Sequence, residues 1–188
     1  MGHHTCRCSS WWGIILKEPL MKIKIRKAKI IDIPSLVDKL FMFYTYLRDE
    51  KRAIDIAKDD NVLRGGIVIE VGNGFSNPNW QCVVAVQDSE IVAFIIGILE
   101  FCAPISEHHK CIRIHANYQD SGTMAGGKIL LSLWSLLEVW AKEQGASYFY
   151  ANIHPGNQPS VRAAKHIGFK HQYTQFYKSV TDSKLEDE

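Results

Sequence analysis

Two apolar runs, QCVVAVQ (81–87) and IVAFIIGILEF (91–101), are separated by only three residues, DSE. Both are nearly continuous stretches of β-branched and aromatic residues, without the alternation of a strand that is wet on one side. Paired as a hairpin, they make a sheet that needs cover on both faces. A chain of 188 residues, 46% of them hydrophobic, can supply that cover within a single domain.

The surrounding pattern predicts what provides it. KIKIRKAKI (22–30) alternates like a half-exposed strand. Asp32 is placed to cap a helix over IPSLVDKLFMFYTYL (33–47), with Pro34 in its first turn. Leu36, Leu40 and Tyr44 share one face of that helix. DEKRAIDIAK (49–58) reads as a second, more polar helix. Residues 59–80 are rich in Gly, Asn and Asp and read as a long loop with one short strand, IVIEV (67–71), forming a substrate wall. Asp59, Asp60 and Glu70 lie there and could attract a cation, although a charge run is more often a solvated face.

A third strand, KCIRIHANY (110–118), follows CAPISEHH. A period of two sets His109, Cys111, Arg113 and His115 on one side, with Ile112 and Ile114 on the other. His and Cys ligands at these spacings stand too far apart along a strand to share a metal ion, and none is expected. The chain then enters YQDSGTMAGGKILL (118–131), where Gly122, Gly126 and Gly127 precede an apolar helix. Leu130, Leu133, Trp134, Leu137 and Ala141 form a helical stripe, widened by Ile129, Leu136 and Trp140. Gly145 is suited to the position just past the helix end. SYFYANI (147–153) is a further strand. QPSVRAAKHI (158–167) is a short helix running from Asn157 to Gly168, and FKHQYTQFYKSV (169–180) supplies the last strands.

A strand that runs through glycines into a helix suits an anion. Free N–H groups and the helix dipole converge there, and glycine lets the backbone approach. The same glycines could simply turn a strand into a helix. A Walker loop fits from Gly122 to Lys128, but Ile129 stands where a magnesium-binding hydroxyl belongs, and G-x-G-x-x-G is absent.

Net charge is +2 with a pI near 8.2, so composition calls for neither nucleic acid nor a membrane surface. No apolar run is long enough for a membrane span. Five cysteines, Cys6, Cys8, Cys82, Cys102 and Cys111, are an odd set, three of them in or beside apolar runs. Reduced thiols and a cytoplasmic location are expected. Residues 1–20 differ in texture and read as an N-terminal extension or leader, 21–180 as the domain, and 181–188 as a polar tail.

The order of elements resembles the GNAT N-acetyltransferase superfamily over about Lys22 to Lys178. The most specific part is AKEQGASYFYANIHPGNQPSVRAAKHIGF (141–169), which is similar to the family's later half. There a helix ends in A-K-x-x-G-A, a strand follows, then N-x-x-[AS] and a closing G-F. Asn157, Ser160, Gly168 and Phe169 occupy those places. The glycine loop departs from the family's [QR]-x-x-G-x-[GA]: Gln119 and Gly122 fit, but Met124 falls on the third place.

The resemblance implies an α/β fold of the α+β type. A mixed central sheet of about six to seven strands, with a splayed parallel pair, would be flanked by about four helices. It implies acetyl-CoA as co-substrate, its pyrophosphate on Gln119, Gly122, Thr123, Met124, Ala125, Gly126, Gly127 and Lys128. The pantetheine arm would pass Ile114, His115 and Ala116, with Asn157 and Ser160 beyond. An acetyl group would move directly to a primary amine of a small molecule or peptide. Glu100 and then His115 are the candidate bases, and Tyr173 the candidate acid, because the family's usual tyrosine position is Ala164. Tyr150 and Tyr177 are the other tyrosines within reach. A non-catalytic CoA-binding relative is the alternative. The extra apolar face of the long helix also suggests a homodimer, although a docked N-terminal segment would cover that face equally well.

Overall fold

The computed structural model describes residues 23–50, 56–101, 110–120, 126–153 and 156–171. Five strands form one sheet in the order β1 (Lys24–Lys27), β2 (Trp80–Gln87), β3 (Glu90–Phe101), β4 (Lys110–Gln119) and β5 (Tyr148–Ala151). The first four run antiparallel, and β4 pairs with β5 in parallel. A parallel neighbour needs a crossover. Here it contains α3 (Gly126–Glu143). The expected six to seven strands are five among the described residues. The segment read as the last strands is irregular at 169–171 and otherwise lies outside them.

Both faces of the β2–β3 hairpin are covered, as its apolar runs require. On one face Val83, Ala85, Ile95 and Ile112 pack against Ile129, Leu133, Leu137 and Trp140 of α3. On the other, Cys82, Val84, Phe94 and Ile96 meet Leu36 and Leu40 of α1 (Ile33–Asp49) and Leu63, Ile67 and Val71 of α2 (Asp60–Ser76). Burying each such aliphatic side chain is worth about 1.5–3 kcal/mol. Gly145 closes α3 with φ of 70°, as expected of the residue past the helix end.

Two local readings need correction. Residues 60–76 are a helix, not a loop with a strand. Four glycines lower helix propensity by about 1 kcal/mol each, yet burial of Leu63, Ile67 and Val71 at fourfold spacing outweighs them. The Asp59 carboxylate caps this helix, accepting from Asn61 N at 2.8 Å and Val62 N at 3.0 Å. Gly74 is required by contact, since a Cβ there would lie 2.6 Å from the Trp80 ring. Asp32 does precede α1, but its carboxylate does not cap it. It turns back to accept from Lys29 N at 2.7 Å and from Arg26 at 2.5 and 2.9 Å. The Arg26 hydrogen bond, aided by that from Lys29 and against some loss of hydration, holds the Asp32 carboxyl below the usual range.

Part of the expected helix at 49–58 lies outside the described residues; 56–57 are irregular. No described helix is long and apolar enough to cross a membrane.

Candidate active site

The site grows out of an irregularity in β4. Ala116 pairs with Ile96, but Ile114 pairs with Gly97, so His115 is an extra residue bulged out of the ladder. The bulge reverses the alternation. Ile112 and Ile114 belong to the α3 face, whereas Ala116 and Tyr118 belong to the α1/α2 face. β5 stays paired with β4 only as far as Ile114 opposite Ala151. Beyond that point β4 runs on to Gln119 without it, and a cleft of about 180 Å³ opens between them.

Ile114, His115 and Ala116 line this cleft on one side, with Asn157 and Ser160 across from them. Five residues expected at a cofactor site thus meet in one place. Trp134 of α3 closes the cleft floor, packing on Phe149 and Phe169 at ring-centroid distances of 4.8 and 5.4 Å. Asn157 heads α4 (Gln158–His166), its side chain accepting from Ser160 N at 3.4 Å. Ala164 also lines the cleft, so the wall has a methyl group where the family's tyrosine would stand.

Gln119 ends β4 opposite Ala93. Asp120 after it is held by Lys39 Nζ at 2.8 and 2.9 Å, by Tyr118 Oη at 2.7 Å, and through its own N–H to Val92 O at 2.9 Å. Burial, then the bond to Asp120, pushes the Tyr118 phenol up to about 12. The strand exit is therefore fixed just before the glycine-rich segment. Gly122, Thr123, Met124 and Ala125 lie outside the described residues, as does Tyr173. Gly126 begins α3, and Gly127 and Lys128 are exposed in its first turn. Among the described residues, nothing outside its own helix turn lies within 4 Å of where a Cβ on Gly127 would sit.

Beside the cleft, on the α1/α2 face, runs a chain of polar side chains. Arg113 Nε donates to Glu100 Oε1 at 2.6 Å, and the Tyr150 hydroxyl donates to Glu100 Oε2. Arg113 Nη1 lies 3.0 Å from His115 Nδ1. His115 Nε2 lies 2.8 Å from Glu70 Oε1 and 3.2 Å from Tyr44 Oη, which itself donates to Glu70 Oε2 at 3.4 Å. Four elements contribute besides β4: α1, α2, β3 and β5. Tyr44 lines the cleft along with His115, so the chain opens into it.

Loss of hydration alone would raise the Glu100 carboxyl, but the hydrogen bonds from Tyr150 and Arg113 and the Arg113 charge outweigh it. Glu100 therefore sits below the usual carboxylate range. Burial, then the adjacent Glu100, pushes the Tyr150 phenol up to about 12. Burial, then Glu70, raises Tyr44 further. Both phenols are thus donors that keep their protons. Sequence reasoning placed Glu100 and His115 in the site and named Glu70 only as an acidic group of a substrate-wall loop that could attract a cation; Tyr44 and Arg113 had no role. Reading its helix as a loop hid that Glu70 faces His115. Among the described residues no group of His, Cys, Asp and Glu is placed to hold a metal ion.

Neither a protein-family model nor a curated protein matches the sequence. Solved structures do match in fold. An aminoglycoside antibiotic 6'-N-acetyltransferase, AAC(6')-IG from Acinetobacter haemolyticus, superposes with a TM-score of 0.64 at 16% identity, over 83% of this chain and 97% of that one. A predicted acetyltransferase from Clostridium acetobutylicum, solved with acetyl-CoA, gives 0.67 at 18% identity over 85% and 97%. AAC(6')-Iy with the bisubstrate analogue CoA-S-monomethyl-acetylneamine gives 0.65 at 10% identity over 84% and 98%. The chain has the fold of the GNAT acetyltransferases.

Proposed function

We propose that the protein is an acyl-CoA-dependent N-acetyltransferase that moves an acetyl group from acetyl-CoA to a primary amine. The observation that carries this reading is the cleft where β4 parts from β5 at the His115 bulge, with a charged, hydrogen-bonded chain opening into it. Similar structures solved with acetyl-CoA or a CoA bisubstrate analogue support the choice of cofactor.

The residues fit such a cofactor. Past Ile114 the edge of β4 that faced β5 is open to the cleft, and a backbone N–H near Ile114 or His115 there would polarise the thioester carbonyl. Asn157 and Ser160 would flank the pantetheine arm. Gln119 and the segment from Gly122 through Thr123, Met124, Ala125, Gly126 and Gly127 to Lys128 would receive the pyrophosphate at the start of α3.

The acceptor amine has an ordinary pKa of about 10.4 and arrives charged. It must give up a proton before it attacks. The neutral nitrogen then attacks the thioester carbon, the C–S bond breaks, and the second nitrogen proton ends on the CoA sulfur. Ala164 can donate nothing to that sulfur, and Tyr150, at about 12, is a weak acid for the task. A thiol of pKa about 8.5 leaves as thiolate with water's help, so Tyr173 or water completes the step.

Thiol release from acetyl-CoA with a panel of amines tests the reading, beside a thermal-shift comparison of acetyl-CoA, other acyl-CoAs and ATP. Amine-dependent thiol release is expected. Saturable CoA binding with no turnover on any amine would point to a non-catalytic relative. Stabilisation by ATP but not by acetyl-CoA would overturn the cofactor itself.

A further inference from the structure

We infer that Glu70 of α2 is the base that takes the proton from the amine, and that Arg113 prevents His115 from doing so. This rests on the transferase reading above. A guanidinium has only donors, so the contact at 3.0 Å means Arg113 donates to His115 Nδ1. That nitrogen then carries no proton, and its lone pair is spent on Arg113. The ring proton must sit on Nε2, which points at Glu70 Oε1, 2.8 Å away. His115 lines the cleft but has no lone pair to offer a substrate.

The remaining protons in the cluster converge on the same carboxylate. The Tyr44 hydroxyl donates to Glu70 Oε2 at 3.4 Å, and its oxygen can share the Nε2 proton at 3.2 Å. Glu70 is about one-third exposed, and a carboxylate accepts roughly four hydrogen bonds. Two sites are filled by Tyr44 and His115, which themselves line the cleft, and the exposed third of Glu70 behind them leaves acceptor capacity for an amine or a bridging water. Glu100 is the less suitable base, since a charged guanidinium donates to it at 2.6 Å, whereas Glu70 accepts only from an imidazole and from a phenol at 3.4 Å.

Among the described residues, the charged and titratable groups that face Glu70 are Tyr44 from α1 and His115 from β4, with Arg113 and Glu100 behind the imidazole. Glu70 is thus the catalytic residue of this cluster. Arg113 is a positioning residue that acts through the tautomer of His115.

The proton account closes. An ammonium loses one proton to Glu70 and, after attack, a second to the departing sulfur. Glu70 then returns its proton to solvent.

Two measurements test this. Glu70→Gln should lower kcat for thiol release at neutral pH by about 10²-fold or more, within the usual range for general-base assistance. The deficit should shrink as pH approaches the amine's own pKa of about 10.4. Acetyl-CoA affinity by equilibrium binding should stay within about twofold, because a proton acceptor leaves cofactor binding to other groups. An unimpaired variant, or a deficit equal at every pH, overturns the base assignment while the active wild type keeps the transferase reading. A wild type that acetylates no amine overturns both. Independently, nitrogen NMR of the wild-type imidazole should show a proton on Nε2 and none on Nδ1. A proton on Nδ1 overturns the role given to Arg113.

Discussion

Leu99 and Glu100 are consecutive on β3, and Ile112 and Arg113 are consecutive on β4, yet each pair is split between opposite sides of the sheet. On the α3 side, Leu99, Ile112, Leu133, Leu137 and Trp140 meet with 5% exposure or less. On the α1/α2 side, at the same level, Glu100 and Arg113 begin the polar chain that ends at Glu70 and Tyr44. Strand alternation alone separates them. The dry side can be judged by volume and contact. The polar side works only if each donor finds its acceptor, because an unpaired charge in a half-buried position costs far more than a paired one returns. The contrast teaches that the α3 core fixes the two strands by packing, and the polar side uses that fixed register to match donors with acceptors.

The division would break most visibly at Leu137. It is fully buried in the α3 core, and Leu137→Ala should lower unfolding free energy by about 2–5 kcal/mol, read from the denaturant midpoint. The loss relative to wild type should be the same at every pH. A loss that varied with pH would mean that the α3 core tunes the polar chain directly.

The next largest effect is expected at Asp32, where the α1/α2 side uses charge for stability. Its side chain is about nine-tenths buried against Arg26. Because the folded carboxyl is held below its usual pKa, its contribution is present above about pH 4 and lost as pH falls through the lower folded value. Asp32→Asn should cost about 1.5–3 kcal/mol at neutral pH. The gap from wild type should close in acid. A gap that stays constant as pH falls would assign the loss to packing instead of charge.

How far the sequence disclosed these two sides follows from their physics. The α3 side was legible because burial leaves a periodic record, and the spacing of Leu133, Leu137 and Trp140 predicts a covered helix directly. The β2–β3 hairpin was legible for the same reason, as were Leu36 and Leu40 of α1. The bulge at His115 was not, because one extra residue alters no local propensity and appears only as a shift in register with β3. The helix carrying Glu70 was missed because glycine counts conceal the spacing of Leu63, Ile67 and Val71, which become decisive once sheet and α1 supply something to pack on. Candidates on one strand, such as Ile114 and His115, could be proposed in advance. Glu100 and Tyr150 could be named as well, but not that Arg113 joins Glu100 to His115, or that Tyr44 and Glu70 complete the chain.

Gly127 sharpens the comparison from the other direction, since it places function on the α3 side. No described residue outside its own helix turn crowds its missing Cβ, so Gly127→Val should cost little fold stability. If that opening serves the pyrophosphate, acetyl-CoA affinity should fall at least tenfold, about 1.4 kcal/mol. Isothermal titration with acetyl-CoA and with a pantetheine fragment lacking the diphosphate separates the causes. The fragment should bind both proteins alike, and an unchanged acetyl-CoA affinity would move the phosphate site elsewhere.

The smallest effect should come from Glu100, although it is the most obvious carboxylate in the sequence. Arg113 and Tyr150 occupy its two oxygens, and its pKa is already low, so it has little proton affinity to lend at neutral pH. Its part in the chain is to hold Arg113 against His115. Glu100→Gln can still accept from one donor through its amide oxygen, so turnover should fall by less than about tenfold. That deficit should be similar from neutral to alkaline pH, because an orienting contact does not become dispensable when the amine loses its own proton. If the loss instead recovers in alkali as the Glu70→Gln loss is expected to, the base lies on β3, and the polar chain runs in the opposite sense.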